Sequence, residues 1–528
     1  MSPASAVSTT ATRSARRGSQ HMRRLQTVAL GLAAVAAALA LLVSPAHASH
    51  SQVALFEDDA HLLTDPVGTM GLLRQLGVGE VRVYVEWSYV APNPYSYSKP
   101  AHFDSASPGG YSWARYDKIV NAARQSHIQL DFVLSGGAPH WAIGRDHPSN
   151  AAGIHYAWKP SVTEWGKFVH AVLLRYGHTV HTWEIYNEPN FGDDLAPQSV
   201  HGVATGPAMY RQLVDAAWKA FGATHRTRDT IIIGQLTARG LSGGSLPGNF
   251  SQTKPLIFTR ALYCVDSTLR PLRGAAANAI GCPTTASASR SFARLHPGLF
   301  HASGFGIHPY PQGLPPTRDS SHDPNFITFN TIPHAESVLD GINRTYHVRG
   351  GIPLYNNEYG YVTRPPANNR VFASPAAAAG YINQAEYLSW LNPRIQSYMQ
   401  YLLYDPAIGG PSQFFSGLIS PNLAHKPSFY SYRMPLWLPN PLTRRGQRTE
   451  VWGAVRPFHA FGGQQPAQIQ WRANSRATFR TIARVALHSA NGYFDTKLRF
   501  PGSGQVKVVW NEPSVGLIAS RIASVTVR

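Results

Sequence analysis

Thr182-Trp183-Glu184-Ile185-Tyr186-Asn187-Glu188-Pro189 is the stretch on which the reading of this chain turns. Its apolar start reads as a β-strand, and Pro189, which lacks an N–H and cannot continue a ladder, marks where the strand opens into a loop. Glu188 therefore sits at a strand's C-terminal end, with the amide of Asn187 just before it. A second run, Ile352-Pro353-Leu354-Tyr355-Asn356-Asn357, closes in the same way on Glu358.

Working outward, short apolar runs alternate with amphipathic stretches from Ser49 to about Pro435. The strand candidates are Val53–Phe56, Val81–Val85, Leu130–Leu134, Thr182–Tyr186, Ile231–Gly234, Gly304–His308, Pro353–Asn357 and Ser397–Leu402. Several are near-continuous apolar runs, as parallel strands covered on both faces require. Helical spacing lies between them. Ser161-x-x-Glu164 has the form of a capping box opening a run with Trp165, Phe168, Val169, Val172 and Leu173. Tyr210, Leu213, Val214, Ala217 and Phe221 form a stripe after the fourth strand, and Tyr381, Ala385 and Leu388 another after the seventh. The expected fold is α/β: a (β/α)8 TIM barrel over 49–435. After Pro435 helical periodicity stops, Pro439-Asn440-Pro441 reads as a linker, and alternating runs separated by turn signals predict an antiparallel β-sandwich accessory domain over 436–528.

Residues 1–48 carry the parts of an export signal: arginines up to Arg24, an apolar run from Val28 to Val43, and Ala46-His47-Ala48 as a cleavage site. The retained alternative is a membrane anchor. Cleavage near Ala48 predicts a secreted or cell-surface protein, and it takes five arginines from the formal net charge of +19, leaving a surplus near +14. Such a surplus suits anionic polymers or an acidic cell surface, or is simply an arginine-biased solvated surface. No basic run with interleaved aromatics marks a nucleic-acid footprint. In an exported chain the two cysteines, Cys264 and Cys282, are expected to form one disulfide.

The chemistry rests on the two glutamates. Hydrolysis of a glycoside with retention needs a proton donor on the leaving oxygen and a carboxylate nucleophile about 5 Å away. Barrels build such sites at the C-terminal ends of their strands. The strings WEIYNEPN, IPLYNNEYG and GFGIHPYP resemble the large clan of (β/α)8 glycoside hydrolases whose catalytic glutamates end strands four and seven. Gly136-Gly137-Ala138-Pro139-His140-Trp141-Ala142 looks like the family 39 enzymes and their relatives. The resemblance covers about 53–435. It implies Glu188 as general acid/base, Glu358 as nucleophile and Asn187 on the sugar 2-hydroxyl. It further implies Arg82 beneath the nucleophile, His308 and Tyr310 orienting it, and Trp141 as an apolar platform for a sugar face. The family commonly has a Trp on strand eight, where this chain offers Tyr401 and Tyr404, and Tyr404 is the expected substrate contact.

Glu184 shares strand parity with Glu188 and is expected inside the barrel as a paired structural charge. Glu57, Asp58, Asp59, Glu86, Trp87 and Asp405 are open between subsite and loop roles. Trp452, Trp471 and Trp510 in the sandwich are open between a sugar platform and core packing. No phosphate loop, nucleotide fingerprint, HExxH or clustered metal-ligand spacing appears, so neither cofactor nor metal is expected. The expected partner is a polysaccharide or oligosaccharide. The alternatives to a secreted retaining hydrolase are a transglycosylase and a non-catalytic carbohydrate-binding or cell-wall-associated protein on the same scaffold.

Overall fold

A computed structural model describes residues 52–148, 155–241, 250–319, 321–364, 372–410, 412–457, 466–487 and 491–528. The expected export segment, 1–48, lies outside these residues. Eight parallel strands close into a barrel in sequence order: β1 (Val53–Glu57), β2 (Glu80–Glu86), β3 (Gln129–Ser135), β4 (Thr182–Ile185), β5 (Thr230–Thr237), β6 (Gly304–His308), β7 (Leu354–Asn356) and β8 (Ile395–Tyr401), with β8 pairing back to β1. Each of the eight apolar runs read from the sequence became one of these strands. Closure leaves no unpaired edge in the barrel.

The helices cover the barrel with the faces that their apolar stripes predict. On α1 (Val162–Tyr176), Trp165, Phe168, Val169, Val172 and Leu173 are buried; on α2 (Gly206–Ala223), so are Tyr210, Leu213, Val214, Ala217 and Phe221. Only half of the expected capping box forms. The Ser161 side chain accepts the Glu164 N–H at 3.4 Å, but the Glu164 carboxylate turns to Lys99 at 2.7 Å and Lys167 at 3.0 Å. A cation from another loop outcompetes a local backbone N–H because charge-assisted hydrogen bonds are the stronger ones.

Inside the barrel the layers are polar rather than branched aliphatic. Arg82 lies opposite Glu57 on one side and Asp131 on the other, and Glu184 is fully buried with them. Burial, with Glu184 next to it, pushes the Asp131 carboxyl well above the usual carboxylate range. The insertion between β5 and β6 is held by the Cys264–Cys282 disulfide, with Cα atoms 5.6 Å apart.

Beyond the barrel two sheets form the expected sandwich-like module. One contains β9 (Leu436–Trp437), β11 (Thr449–Ala454) and β14 (Tyr493–Leu498). The other runs β10 (Leu442–Thr443), β17 (Ala523–Val527), β15 (Gly504–Glu512), β12 (Ala467–Arg472), β13 (Arg480–Val485), with β16 (Gly516–Ala519) also on β15. The pairings are antiparallel except β10 with β17. The Pro439-Asn440-Pro441 segment thus runs between strands of the two sheets. Met434, Val451, Ile469, Phe494, Val508, Trp510 and Val525 make the core between them.

The module is joined to the barrel through a buried contact. α3 (Pro375–Leu391) presents Glu386, fully buried, which pairs with Arg456 and accepts the Tyr493 hydroxyl at 2.8 Å. Trp452 stacks on Tyr493, with ring centroids 5.6 Å apart, and packs against Tyr387 and Trp390 of the same helix. Trp452, Trp471 and Trp510 are all buried. They belong to core and interface packing, and the sugar-platform alternative for them has no exposed surface to use.

Candidate active site

The strand β4 ends in strained backbone. Tyr186 takes φ 71° and Glu188 φ 35°, the left-handed region that non-glycine residues rarely occupy. Neighbouring groups hold the turn. The Tyr186 N–H still donates to Leu134 O at 2.9 Å, extending the β3–β4 ladder, and its hydroxyl donates to Asp194 O at 3.0 Å. Gly136 makes room for that ring, since a Cβ there would stand 2.1 Å from the Tyr186 hydroxyl. Asn190 then ties the loop to β5 by donating to Thr237 Oγ1 at 2.6 Å and accepting the Thr237 N–H at 2.9 Å.

Arg82, on β2, is fully buried and organises the floor. Its guanidinium pairs with Glu57, with Glu184 at 2.9 Å and with Glu358 Oε1 at 2.8 Å. A further bond goes to Asn187 Oδ1 at 3.0 Å. Because Arg82 claims the amide oxygen, the Asn187 NH2 is left as the free end of that side chain. Asn357 donates to Glu184, so Glu184 is a paired structural charge inside the barrel, as its strand parity predicts.

Glu358 is held by three further groups. Tyr84 donates to Oε1 at 2.8 Å, Tyr310 to Oε2 at 3.1 Å, and His308 Nδ1 lies 3.6 Å from Oε2. His308 is closer to the other glutamate, with Nδ1 2.8 Å from Glu188 Oε1. The imidazole expected to orient Glu358 alone therefore bridges both carboxylates. Donor atoms of Glu188, His308 and Glu358 all lie within 4.8 Å of one another. Such a trio has the ligand types for a divalent cation, but the guanidinium 2.8 Å from Glu358 opposes a second positive charge there.

The two carboxylates are pushed apart electrostatically. Burial raises Glu188 well above the usual carboxylate range, and the neighbouring charge of Glu358 adds to the rise. Burial acts on Glu358 too, but the His308 ring, the Arg82 guanidinium and the hydroxyls of Tyr84 and Tyr310 outweigh it and hold its pKa below the ordinary value. His308 is itself lowered to about 4 by burial, so near neutrality the permanent positive charge beside Glu358 is that of Arg82. Two carboxyls a few ångströms apart, one favouring its proton and the other its charge, can supply an acid and a nucleophile in one cleft.

The cleft above them has a volume of about 380 Å³ and is lined by Glu188, Glu358, Tyr310, Tyr401, Phe414 and Arg239 among others. A larger groove, of about 570 Å³, lies on the barrel's outside between α1 and α2 and holds no paired carboxylates. No protein-family model and no curated protein matches the sequence. Among solved structures, the chain is similar to the exo-beta-1,4-mannosidase Op5Man5 from Opitutaceae bacterium strain TAV5, at 13% identity over 72% of this chain and with a TM-score of 0.40. The match spans 58% of that mannosidase's length. A beta-glucosidase from Thermotoga maritima in complex with castanospermine matches at 14% identity over 70% of this chain and 85% of its own, TM-score 0.42. A glucosidase from Croceicoccus marinus matches at 11% identity over 86% and 92%, TM-score 0.43. Values this low carry no weight for activity or substrate.

Two expected contacts do not line the cleft. Trp141 packs edge-on against Trp87 at 5.9 Å and Phe103 at 5.8 Å, with its Nε1 donating to Pro92 O at 3.1 Å. Tyr404 lies over His61, ring centroids 4.2 Å apart. Tyr401, from β8, and Phe414, from the loop after it, supply the aromatic wall instead, 5.3 Å apart. Trp87 is buried core and Asp405 pairs with Lys426 at 2.9 Å. Tyr84 was not anticipated, although its parity with Arg82 puts both on the inward side of β2.

Proposed function

We propose that this protein is an exported retaining glycoside hydrolase that cleaves O-glycosidic bonds of a polysaccharide or glycoconjugate, allied to the family 39 enzymes by the motifs quoted above. The observation that carries the reading is the Glu188–Glu358 pair, with carboxylate oxygens within 4.8 Å and opposite protonation preferences. Retaining enzymes need about 5–5.5 Å between the two carboxyl groups, whereas inverting ones leave about 6.5–9.5 Å for a water.

In this reading Glu358 attacks the anomeric carbon while the bond to the leaving oxygen breaks and Glu188 donates its proton to that oxygen. A covalent glycosyl–Glu358 ester results. Glu188, now a carboxylate, takes a proton from water, whose oxygen attacks the anomeric carbon and releases Glu358. The Asn187 NH2 meets the sugar 2-hydroxyl. If another sugar replaces water the same ester gives transglycosylation. Residues 1–48 direct export, and cleavage near Ala48 releases a secreted or surface-held chain.

The test is hydrolysis of a panel of aryl glycosides, with the first-formed anomer followed by NMR. Retained configuration, lost in Glu358→Gln, supports the reading. An inverted product, activity surviving Glu358→Gln, or sugar binding without turnover of any glycoside would overturn it, the last in favour of a binding protein on this scaffold.

A further inference from the structure

The positive charge of this chain is not spread evenly. Residues 436–528 carry thirteen Lys and Arg against three Asp and Glu, a surplus of ten in 93 residues, while the 387 residues from 49 to 435 carry a surplus of four. Two of the three acids are also engaged internally. Glu512 is buried and accepts from Ser514 at 2.7 Å, and Glu450 accepts the Tyr387 hydroxyl at 2.8 Å.

The sheet β13–β12–β15 collects much of that charge on one face. Residues directly opposite each other on neighbouring strands share a face. Arg484 lies opposite Gln468; Thr481 and Lys507 both lie opposite Gln470; Arg472 lies opposite Gln505. Ile469, Val508 and Val506 point the other way into the core. The outward rows thus hold three cations, three amides and a hydroxyl beside the buried Val509, none of them acidic, with Arg472 donating to Gln505 at 2.7 Å and Thr481 to Gln468 at 2.9 Å. Phe479 stands between two of the cations, with Arg472 Cζ and Lys507 Nζ each 4.4 Å from its ring centroid. Arg476, exposed, extends the charge into the connecting hairpin, whereas Arg480 lies opposite Trp471 on the other face.

We propose that this face binds a polyuronate, an anionic polysaccharide with one carboxylate per sugar, and holds it to the enzyme. Strands about 4.8 Å apart place the guanidinium and ammonium groups in a ladder that a repeating carboxylate can follow, and Arg forks match carboxylates bidentately. The three glutamines and Thr481 suit the ring hydroxyls that a polyuronate keeps free and a heavily sulfated glycan does not. A nucleic acid would want open aromatic faces for its bases, and the ring in this patch, Phe479, already has cations against it. The choice of a glycan also rests on the carbohydrate reading of the barrel cleft.

The probe is binding of the full chain to polygalacturonate, against dextran, heparin, duplex DNA and phosphatidylglycerol vesicles, at low and at physiological salt. The expected result is tightest binding to polygalacturonate, weakening with salt as screened charge contacts do. The triple variant Arg472→Gln, Arg484→Gln, Lys507→Gln should bind it at least about ten-fold more weakly with aryl-glycoside hydrolysis unchanged. Should the triple variant fold poorly, Arg484→Glu on the exposed edge strand reads the same contact. Equal binding to dextran, tighter binding to heparin, DNA or vesicles, or variants that bind as wild type would overturn the proposal, the last leaving the cations as guards of a sheet edge. Polygalacturonate binding through this face by a chain that hydrolyses no glycoside would sustain it while removing the proposed activity.

Discussion

Tyr84 and Arg82 both donate to Glu358 Oε1, each at 2.8 Å, from positions two residues apart on β2. The two-residue period of a strand brings both side chains to the same interior face. Their donors favour the ionised over the protonated carboxyl. Tyr84→Phe should therefore raise the pKa of Glu358 and move the acidic limb of the kcat/KM profile upward. Losing a hydrogen bond to a charged group costs about 1.5–3 kcal/mol, so a fall in kcat/KM of about ten- to a hundred-fold is expected. An acidic limb that does not move would show that Tyr84 packs against the site without tuning it.

The pH profile as a whole follows from the two carboxylates. Glu358, lowered, must be ionised, so activity rises as pH climbs through its depressed pKa. Glu188, raised, must be protonated, so activity falls once pH passes its elevated pKa. The plateau lies between the two. Glu188→Gln should abolish the alkaline limb. Loss of general acid catalysis costs about 10²–10⁴ in rate on poor leaving groups, and far less on a dinitrophenyl glycoside, which departs without a proton. A variant with equal losses on both substrates would place Glu188 outside the proton transfer.

The barrel was legible because several of its strands are near-continuous apolar runs alternating with helical stripes, and Glu184 was placed inside it by strand parity alone. The site residues were legible through the resemblance, and they do come together, Arg82 from within β2 and Asn187, His308 and Glu358 from the ends of their strands. Loop aromatics were not. Whether Trp141 faces a sugar or a neighbouring ring depends on Trp87 and Phe103, and Tyr404 turns to His61, contacts made between segments far apart in sequence. Phe414 entered the cleft from a loop with no periodic signal. The trio Glu188, His308 and Glu358 escaped any spacing rule because three separate strands assemble it.

The buried pair between barrel and sandwich makes a separate prediction for stability. Arg456 is the charge partner of Glu386, with Tyr493 as the second donor. Arg456→Met would leave a buried carboxyl without its cation, at a cost of about 3–5 kcal/mol. Burial already raises the Glu386 pKa in the folded chain despite Arg456. A folded pKa above the unfolded one means that the stability this carboxyl contributes is greatest at acid pH and lost as pH rises through the folded value. Without Arg456 the folded pKa climbs further, so the loss of Tm in the variant should be larger at pH 7 than at pH 4.5. Thermal unfolding at the two pH values decides it, and a deficit independent of pH would mean that lost packing, not the uncompensated charge, dominates.

Gly136 tests whether the strained turn positions Glu188. A methyl at Gly136 would stand 2.1 Å from the Tyr186 oxygen and 2.3 Å from the ring carbon that bears it. Gly136→Ala must therefore displace the ring, break its 3.0 Å bond to Asp194 O and disturb the backbone two residues before Glu188. Overpacking of this kind costs about 1–3 kcal/mol. The expected outcome is a lower denaturant midpoint together with a fall in kcat larger than any rise in KM, since the proton donor is misplaced while the rest of the cleft survives. Adding Tyr186→Phe removes the oxygen but leaves the ring carbon in the way, so it should restore little, whereas Tyr186→Leu, which removes the ring, should recover more of the stability than of the activity. Full activity in Gly136→Ala would show that the turn tolerates the shift and that Glu188 is held from the β5 side, through Asn190 and Thr237.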